Sequence, residues 1–269
     1  MNTILITGSS SGIGRAAVKY FSEKNWNVAA TMRNPENETE LLKLKNVKCF
    51  KLDVLDNTAI INTINSVIET FGKIDVIVNN AGYAAMGAFE CASEHQIKKQ
   101  FDVNVFGLMN VTKAILPHFR SQKSGTIINI ASIAGFVGFP SFSLYNATKF
   151  AAEGFSEALQ YELRQFNIKV KVIEPGPINT DFYGRSMDLL EDKKLADYNS
   201  YINKVIEYMK KTGGKGPGPD IVAKIIFKAA NNNNYKLRYP VNFYAKMIIK
   251  LRKEFPDCLF GWIIRKMIK

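Results

Sequence analysis

Tyr145 and Lys149 are the pair whose types and spacing could do chemistry together. Four residues apart on a helix, they share one face and can reach one point. A free tyrosine has a pKa of about 10. A neighbouring ammonium favours the phenolate, and so does the positive charge of an oxidised nicotinamide. Such a tyrosine can exchange a proton with a substrate oxygen near neutral pH. Ser132 closes a strand upstream and can hydrogen-bond the same oxygen. Tyr20 and Lys24 have the same spacing but none of this context. Around Tyr145 the context is a glycine-rich turn and Asn104 before it, Ser132 at a strand end, and Pro175-Gly176 after it. Together they point to carbonyl–alcohol redox chemistry on a nicotinamide cofactor.

The glycine-rich turn is Thr7-Gly8-Ser9-Ser10-Ser11-Gly12-Ile13-Gly14, directly after the first apolar strand. Glycines let the backbone turn tightly and come close to phosphates. The following helix then offers free N–H groups to a pyrophosphate. The residue after the second strand selects the cofactor: an acid there suits the ribose hydroxyl of NAD, an arginine the phosphate of NADP. Here Thr31-Met32-Arg33 has no acid before Glu36, and Arg15 beside Gly14 could supply a second cation. A guanidinium fork suits phosphate, so NADP(H) is expected over NAD(H). Asp53 and Val54 follow the third strand and could border the adenine. Asn79, Asn80, Ala81 and Gly82 follow the fourth and could shape the pocket.

Those residues need a scaffold of alternating strands and helices. Apolar runs predict strands at Ile4–Thr7, Val28–Thr31, Val47–Leu52, Val76–Asn79, Thr126–Ala131 and Val170–Glu174. Helical patterns occupy Gly12–Lys24, Thr58–Phe71 (with Asp56 as N-cap), Ser93–Ser121 and Leu144–Phe166. This alternation predicts an α/β fold, a single Rossmann-type domain over residues 1–241 with a doubly wound parallel sheet. A helix at about 220–230 and a strand near Lys236–Val241 complete it. Residues 177–218 break the regularity and read as a substrate lid. Residues 242–269 read as a basic amphipathic helical extension, two short helices divided at Pro256.

Composition narrows the classes. Apolar residues at 46% and charged residues at 22% suit a globular chain with a sizeable core. Cys49, Cys91 and Cys258 have neither metal nor disulfide spacing, so no metal and a reducing, cytoplasmic compartment are expected. The chain begins without a basic n-region or cleavage site, so no secretory signal is expected. A net charge of +12 favours solubility or anionic partners. Nucleic acid is not expected, because no arginine-rich stripe appears.

With these motifs in order, the chain resembles the short-chain dehydrogenase/reductase family, in the branch with a Gly-x-x-x-Gly-Ile-Gly turn. The likeness runs from about residue 3 to 181 through Thr7–Gly14, Asp53, Asn79–Gly82, Asn104, Ser132, Tyr145, Lys149 and Pro175–Thr180. It implies that Asn104 holds a water at a helix bend in a proton relay. It also implies that Lys149 binds nicotinamide-ribose hydroxyls, and that Ile178 and Thr180 lie near the carboxamide. It suggests a homodimer or homotetramer built on helices 93–121 and 144–166. The C-terminal pattern is similar to steroid and retinol dehydrogenases. That implies a lipophilic carbonyl or alcohol, held near Phe136, Val137, Phe139, Phe142, Phe182, Tyr183, Met187, Leu189 and Leu190. Alternatives are a 3-oxoacyl-carrier-protein reductase, whose acidic partner would suit the charge, and a membrane-surface module that only senses NADP(H).

Overall fold

The computed structural model describes residues 1–180, 184–213 and 216–266. Seven parallel strands form one sheet: β1 (Thr3–Ile6), β2 (Asn27–Met32), β3 (Val47–Lys51), β4 (Val76–Asn79), β6 (Gly125–Ile130), β7 (Ile168–Glu174) and β9 (Arg238–Pro240), in the order β3-β2-β1-β4-β6-β7-β9. β5 (Ala84–Gly87) and β8 (Met187–Leu190) pair separately as a parallel ribbon. The strand order reverses between β1 and β4, which opens a crevice at their carboxyl ends, where such sheets bind ligands.

Helices cover both faces. α1 (Gly12–Glu23) and α7 (Asp220–Asn231) pack one side around Phe21, Val28, Ile128 and Ile226. α2 (Asn57–Phe71), α4 (Gly107–Gln122) and α5 (Ser143–Leu163) pack the other around Leu5, Ile77, Ile115 and Phe119. Cover on both faces is why the central strands are unbroken apolar runs. Asp56 caps α2, accepting from the Ala59 N–H at 2.9 Å.

The expected helix 93–121 is three pieces. α3 (Glu94–Phe101) begins in a Ser93–Gln96 capping box, a π-helical turn spans Asp102–Phe106, and α4 follows. The wide turn aims Asn104 inward, off the regular helical face. β7 begins at Ile168, two residues before Val170, because Ile168 and Lys169 pair with Gly125 and Thr126 of β6. Within β7, Lys171, though charged, is buried and donates from Nζ to the carbonyls of Ala229 (2.7 Å) and Asn232.

The expected lid region holds β8 and α6 (Asn199–Gly213). The C-terminal stretch is α8 (Phe243–Glu254) and α9 (Asp257–Lys266), parted at Pro256. Ala245, Ile248, Phe260 and Ile264 from these helices bury against Ile133 and Val137. No helix among the described residues is long and apolar enough to cross a membrane, and none of their His, Cys, Asp and Glu side chains cluster as a metal site.

Candidate active site

The crevice widens into a cavity of about 1560 Å³. That exceeds the roughly 300–1,000 Å³ usual for one small-molecule site, leaving room for a dinucleotide and a second molecule. Gly8, Ser10, Ser11, Gly12, Ile13, Arg33, Asp53, Val54, Asn80, Ala81, Gly82, Ser132, Tyr145, Lys149, Pro175, Gly176, Ile178 and Thr180 all line it. Gly14, Arg15 and Asn104 do not.

The cradle needs its glycines. Gly8 has φ +67°, and a Cβ there would lie 2.9 Å from the Ala81 Cα. A Cβ on Gly14 would lie 2.4 Å from the Gly8 carbonyl oxygen, so Gly14 supports the turn from behind. Asn80 braces the same turn, donating from Nδ2 to the carbonyls of Thr7 (2.9 Å) and Gly8 (3.1 Å). Ser11, the α1 N-cap, makes no side-chain cap bond, so the first N–H groups of α1 remain for an anion. These features fit a nicotinamide dinucleotide.

Arg15 has partners that the sequence reading does not foresee. Its guanidinium donates to Glu38 Oε2 at 2.5 Å, Glu38 Oε1 at 3.1 Å, Glu40 Oε2 at 3.0 Å and the Ser10 carbonyl at 3.4 Å. The loop after β2 folds back over α1, bringing in two acids that lie beyond Glu36 in sequence. Glu38 is buried, and Arg15 holds its carboxyl below the ordinary range. Arg33 instead lies exposed at the cavity rim with Asn34 and Asn37, and pairs with no carboxylate among the described residues.

At the other end, Tyr145 and Lys149 rise from α5 and Ser132 from the turn after β6. Lys149 Nζ lies 5.5 Å from the Tyr145 ring centroid and donates to the Ile130 carbonyl at 2.8 Å. Burial pulls Lys149 down to about 8, opposed by the carboxylate of Glu153. Ser132 Oγ accepts from the Ala134 N–H at 3.1 Å and donates to the Pro175 carbonyl at 3.4 Å. Asn104 accepts from the Tyr83 N–H at 3.1 Å and donates to the Tyr83 carbonyl (2.9 Å) and Thr148 Oγ1 (3.2 Å). It thus ties the loop after β4 to the residue preceding Lys149. Asn79 is structural: its amide donates to Asn129 Oδ1 at 2.8 Å and Thr112 Oγ1 at 3.0 Å inside the core.

The apolar wall also differs from the sequence reading. Phe139, Phe142 and Met187 line the cavity. Phe136 lies behind it under Arg238, Val137 and Leu190 are core, and Leu189 is exposed. Phe182 and Tyr183 fall outside the described residues. Sequence reasoning missed Val205, Tyr208 and Met209 of α6, Tyr244 of α8 and Ile264 of α9. Only the amphipathic spacing of those helices hinted at them.

A profile of the short chain dehydrogenases matches residues 2–188. The chain belongs to the short chain dehydrogenase family. Its relatives in this family include the uncharacterized oxidoreductase YusZ of Bacillus subtilis, 35% identical over 98% of this chain and 97% of that one. A 3-ketodihydrosphingosine reductase of Bacteroides thetaiotaomicron is 33% identical (97% and 96% covered), and retinol dehydrogenase 8 of Bos taurus is 31% identical (95% and 86%). Among solved structures, a short-chain dehydrogenase from Streptomyces avermitilis aligns with TM-score 0.83 at 30% identity, covering 98% and 95% of the two chains. ElxO with NADP bound aligns with TM-score 0.76 at 29% identity, covering 91% and 99%. As a short chain dehydrogenase, the protein is an oxidoreductase whose fold binds nicotinamide cofactors.

Proposed function

We propose that the protein interconverts a lipophilic ketone or aldehyde and its alcohol, using NADP(H). One observation carries this reading: Ser132, Tyr145 and Lys149 share a cavity with Phe142, Met187, Val205 and Ile264. The bound cofactor supplies hydride chemistry. Gly8, Gly12 and the start of α1 hold its pyrophosphate, and Ile178 and Thr180 border its carboxamide end. Arg33 supports the choice of NADP(H), since it is the cavity-lining cation near the expected ribose.

Ser132 holds the substrate oxygen by a hydrogen bond. Tyr145 gives that oxygen a proton in reduction and removes one in oxidation. Lys149, as the ammonium, favours the phenolate and binds ribose hydroxyls. Asn104 extends the relay towards solvent through a water. The apolar wall, together with relatives named for a sphingoid ketone and for retinol, supports a lipophilic substrate.

Exposed Phe150 and Tyr161 share a face of α5 with Gly154, where a Cβ would meet nothing, which supports a homodimer through this face. Exposed Phe243, Met247, Leu259 and Trp262 among Lys246, Lys250, Arg265 and Lys266 support peripheral contact with an anionic membrane. The test is NADPH consumption against a panel of sphingoid, retinoid, steroid and 3-oxoacyl carbonyls, with NADH in parallel. Turnover confined to small polar carbonyls would overturn the lipophilic reading.

A further inference from the structure

Glu153 continues the row that Tyr145 and Lys149 begin, one helical turn further along α5. It is 4% exposed, and Glu174, at the end of β7, is 1% exposed. Both carboxyls meet one guanidinium. Arg238 Nε donates to Glu153 Oε2 at 3.1 Å and lies 3.6 Å from Glu174 Oε1. The other arm of Arg238 reaches Glu157 at 2.6 Å on the exposed edge. Glu153 Oε1 and Glu174 Oε1 are buried with no hydrogen-bond partner. Buried carboxylates left this way are costly unless a proton or a cation compensates them.

The cluster stands behind the reacting groups. A Cβ on Gly135, in the turn that carries Ser132, would lie 2.8 Å from Glu153 Cγ and 2.9 Å from the Lys149 carbonyl oxygen. Glu174 precedes Pro175, whose carbonyl accepts from Ser132 Oγ and, at 3.0 Å, from the Ile133 N–H. Arg238 also stacks on Phe136 at 5.3 Å, a ring that Lys253 of α8 approaches from 6.0 Å.

We propose that Glu153, backed by Glu174 and Arg238, is a positioning residue whose carboxylate keeps Lys149 in the ammonium form beneath Tyr145. The inference rests on the Tyr145–Lys149 reading above. Burial pushes Glu153 up to about 7 and Glu174 up to about 8, the latter further raised by Glu153 itself. Arg238, with Lys149 on Glu153 and with Lys236 and Lys253 on Glu174, pulls these values down, while Glu157 pushes Glu153 up. Two like groups on one cation resist ionising together, so both stand above an ordinary glutamate. As Glu153 ionises it adds negative charge behind Lys149, which extends the ammonium form to higher pH.

The test reads Lys149 directly, without turnover. The protein is labelled with 13C at lysine Cε, saturated with NADP+, and titrated by NMR, with Lys149→Met to assign the resonance. In Glu153→Gln, Lys149 is expected to lose its proton at least about half a pH unit lower than in the wild type, against a free lysine near 10.4. Glu153→Asp is expected to restore the wild-type titration, and Glu157→Gln to leave it in place. An unmoved Lys149 in Glu153→Gln overturns the proposal even if Tyr145→Phe proves inactive. Where Glu153→Gln does not fold, the wild-type glutamates labelled at Cδ decide. Two carboxyls titrating above about pH 6, clear of an ordinary glutamate near 4.3, support the proposal, and none doing so overturns it.

Discussion

Lys149 donates from Nζ to the carbonyl oxygen of Ile130, the last residue of β6, at 2.8 Å. The sheet itself therefore fixes the ammonium 5.5 Å from the Tyr145 ring centroid. A proton-transfer group positioned this way contributes about 10²–10⁴-fold to rate. Tyr145→Phe is expected to lower kcat by about that factor while leaving NADPH affinity within about threefold, because only the hydroxyl is lost. Lys149→Met should lower kcat and weaken cofactor binding together, because the proposed function gives its ammonium both tasks. Stopped-flow fluorescence of bound NADPH separates the two effects. Near-wild-type turnover in Tyr145→Phe would remove Tyr145 from its role.

The two arginines near the adenine end should behave oppositely. Hydrogen bonds to charged groups contribute about 1.5–3 kcal/mol. Arg33→Ala should therefore raise KM for NADPH by roughly 10- to 100-fold and leave KM for NADH nearly unchanged. Arg15 is held by Glu38 and Glu40. Arg15→Ala should leave the NADPH/NADH ratio close to that of the wild type and lower Tm, because Glu38 stays buried without its cation. A collapse of NADPH preference in Arg15→Ala would reverse the assignment.

The buried acids predict how stability follows pH. Unfolded glutamates titrate near 4.5, whereas folded Glu153 and Glu174 stand at about 7 and about 8. The folded protein thus binds more protons than the unfolded chain between those values. Stability from this pair is fully present below pH 4.5 and is lost as pH rises through 8. Lys149 and Lys171, both lowered to about 8 from 10.5, act in the opposite sense only above pH 8. Glu174→Gln should therefore flatten the fall of Tm between about pH 5 and 8. Arg238→Met, which strands both carboxyls, should cost about 3–5 kcal/mol at neutral pH. Denaturant melts across pH check both, and a wild-type Tm that rises over this range would refute the linkage.

What the sequence made legible follows the range of the interactions. The central strands and the Gly8–Gly14 turn were readable because each is set by neighbours in the chain. The pairing of β5 with β8 was not, because Ala84–Gly87 carries little strand signal and its partner lies about 100 residues away. The family resemblance implies a helix bend at Asn104, and the π turn Asp102–Phe106 stands there; the apolar spacing alone stays helix-like and predicts one long helix. The pairing of Arg15 with Glu38 and Glu40 is not legible, because those acids reach it only through the fold. The Glu153–Arg238–Glu174 cluster joins three elements and leaves no local pattern at all.

The C-terminal helices have two faces with separate consequences. Ala245, Ile248, Phe260 and Ile264 pack over Ile133 and Val137, so deleting α8 and α9 would uncover core and open the cavity. Deletion is therefore a poor test of membrane binding, and surface substitutions are the right one. Phe243 is 80% exposed and Trp262 53%, with Lys266 Nζ 5.6 Å from the Trp262 ring. Burying a large apolar side chain contributes about 1.5–3 kcal/mol, and a basic residue at an anionic surface about 1 kcal/mol. Phe243→Ser with Trp262→Ser should thus weaken co-sedimentation with phosphatidylglycerol-containing vesicles at least about tenfold, with turnover of a soluble carbonyl unchanged. Wild-type binding should fall with salt and be absent on phosphatidylcholine alone. Equal sedimentation of wild type and double variant would assign these side chains to another role.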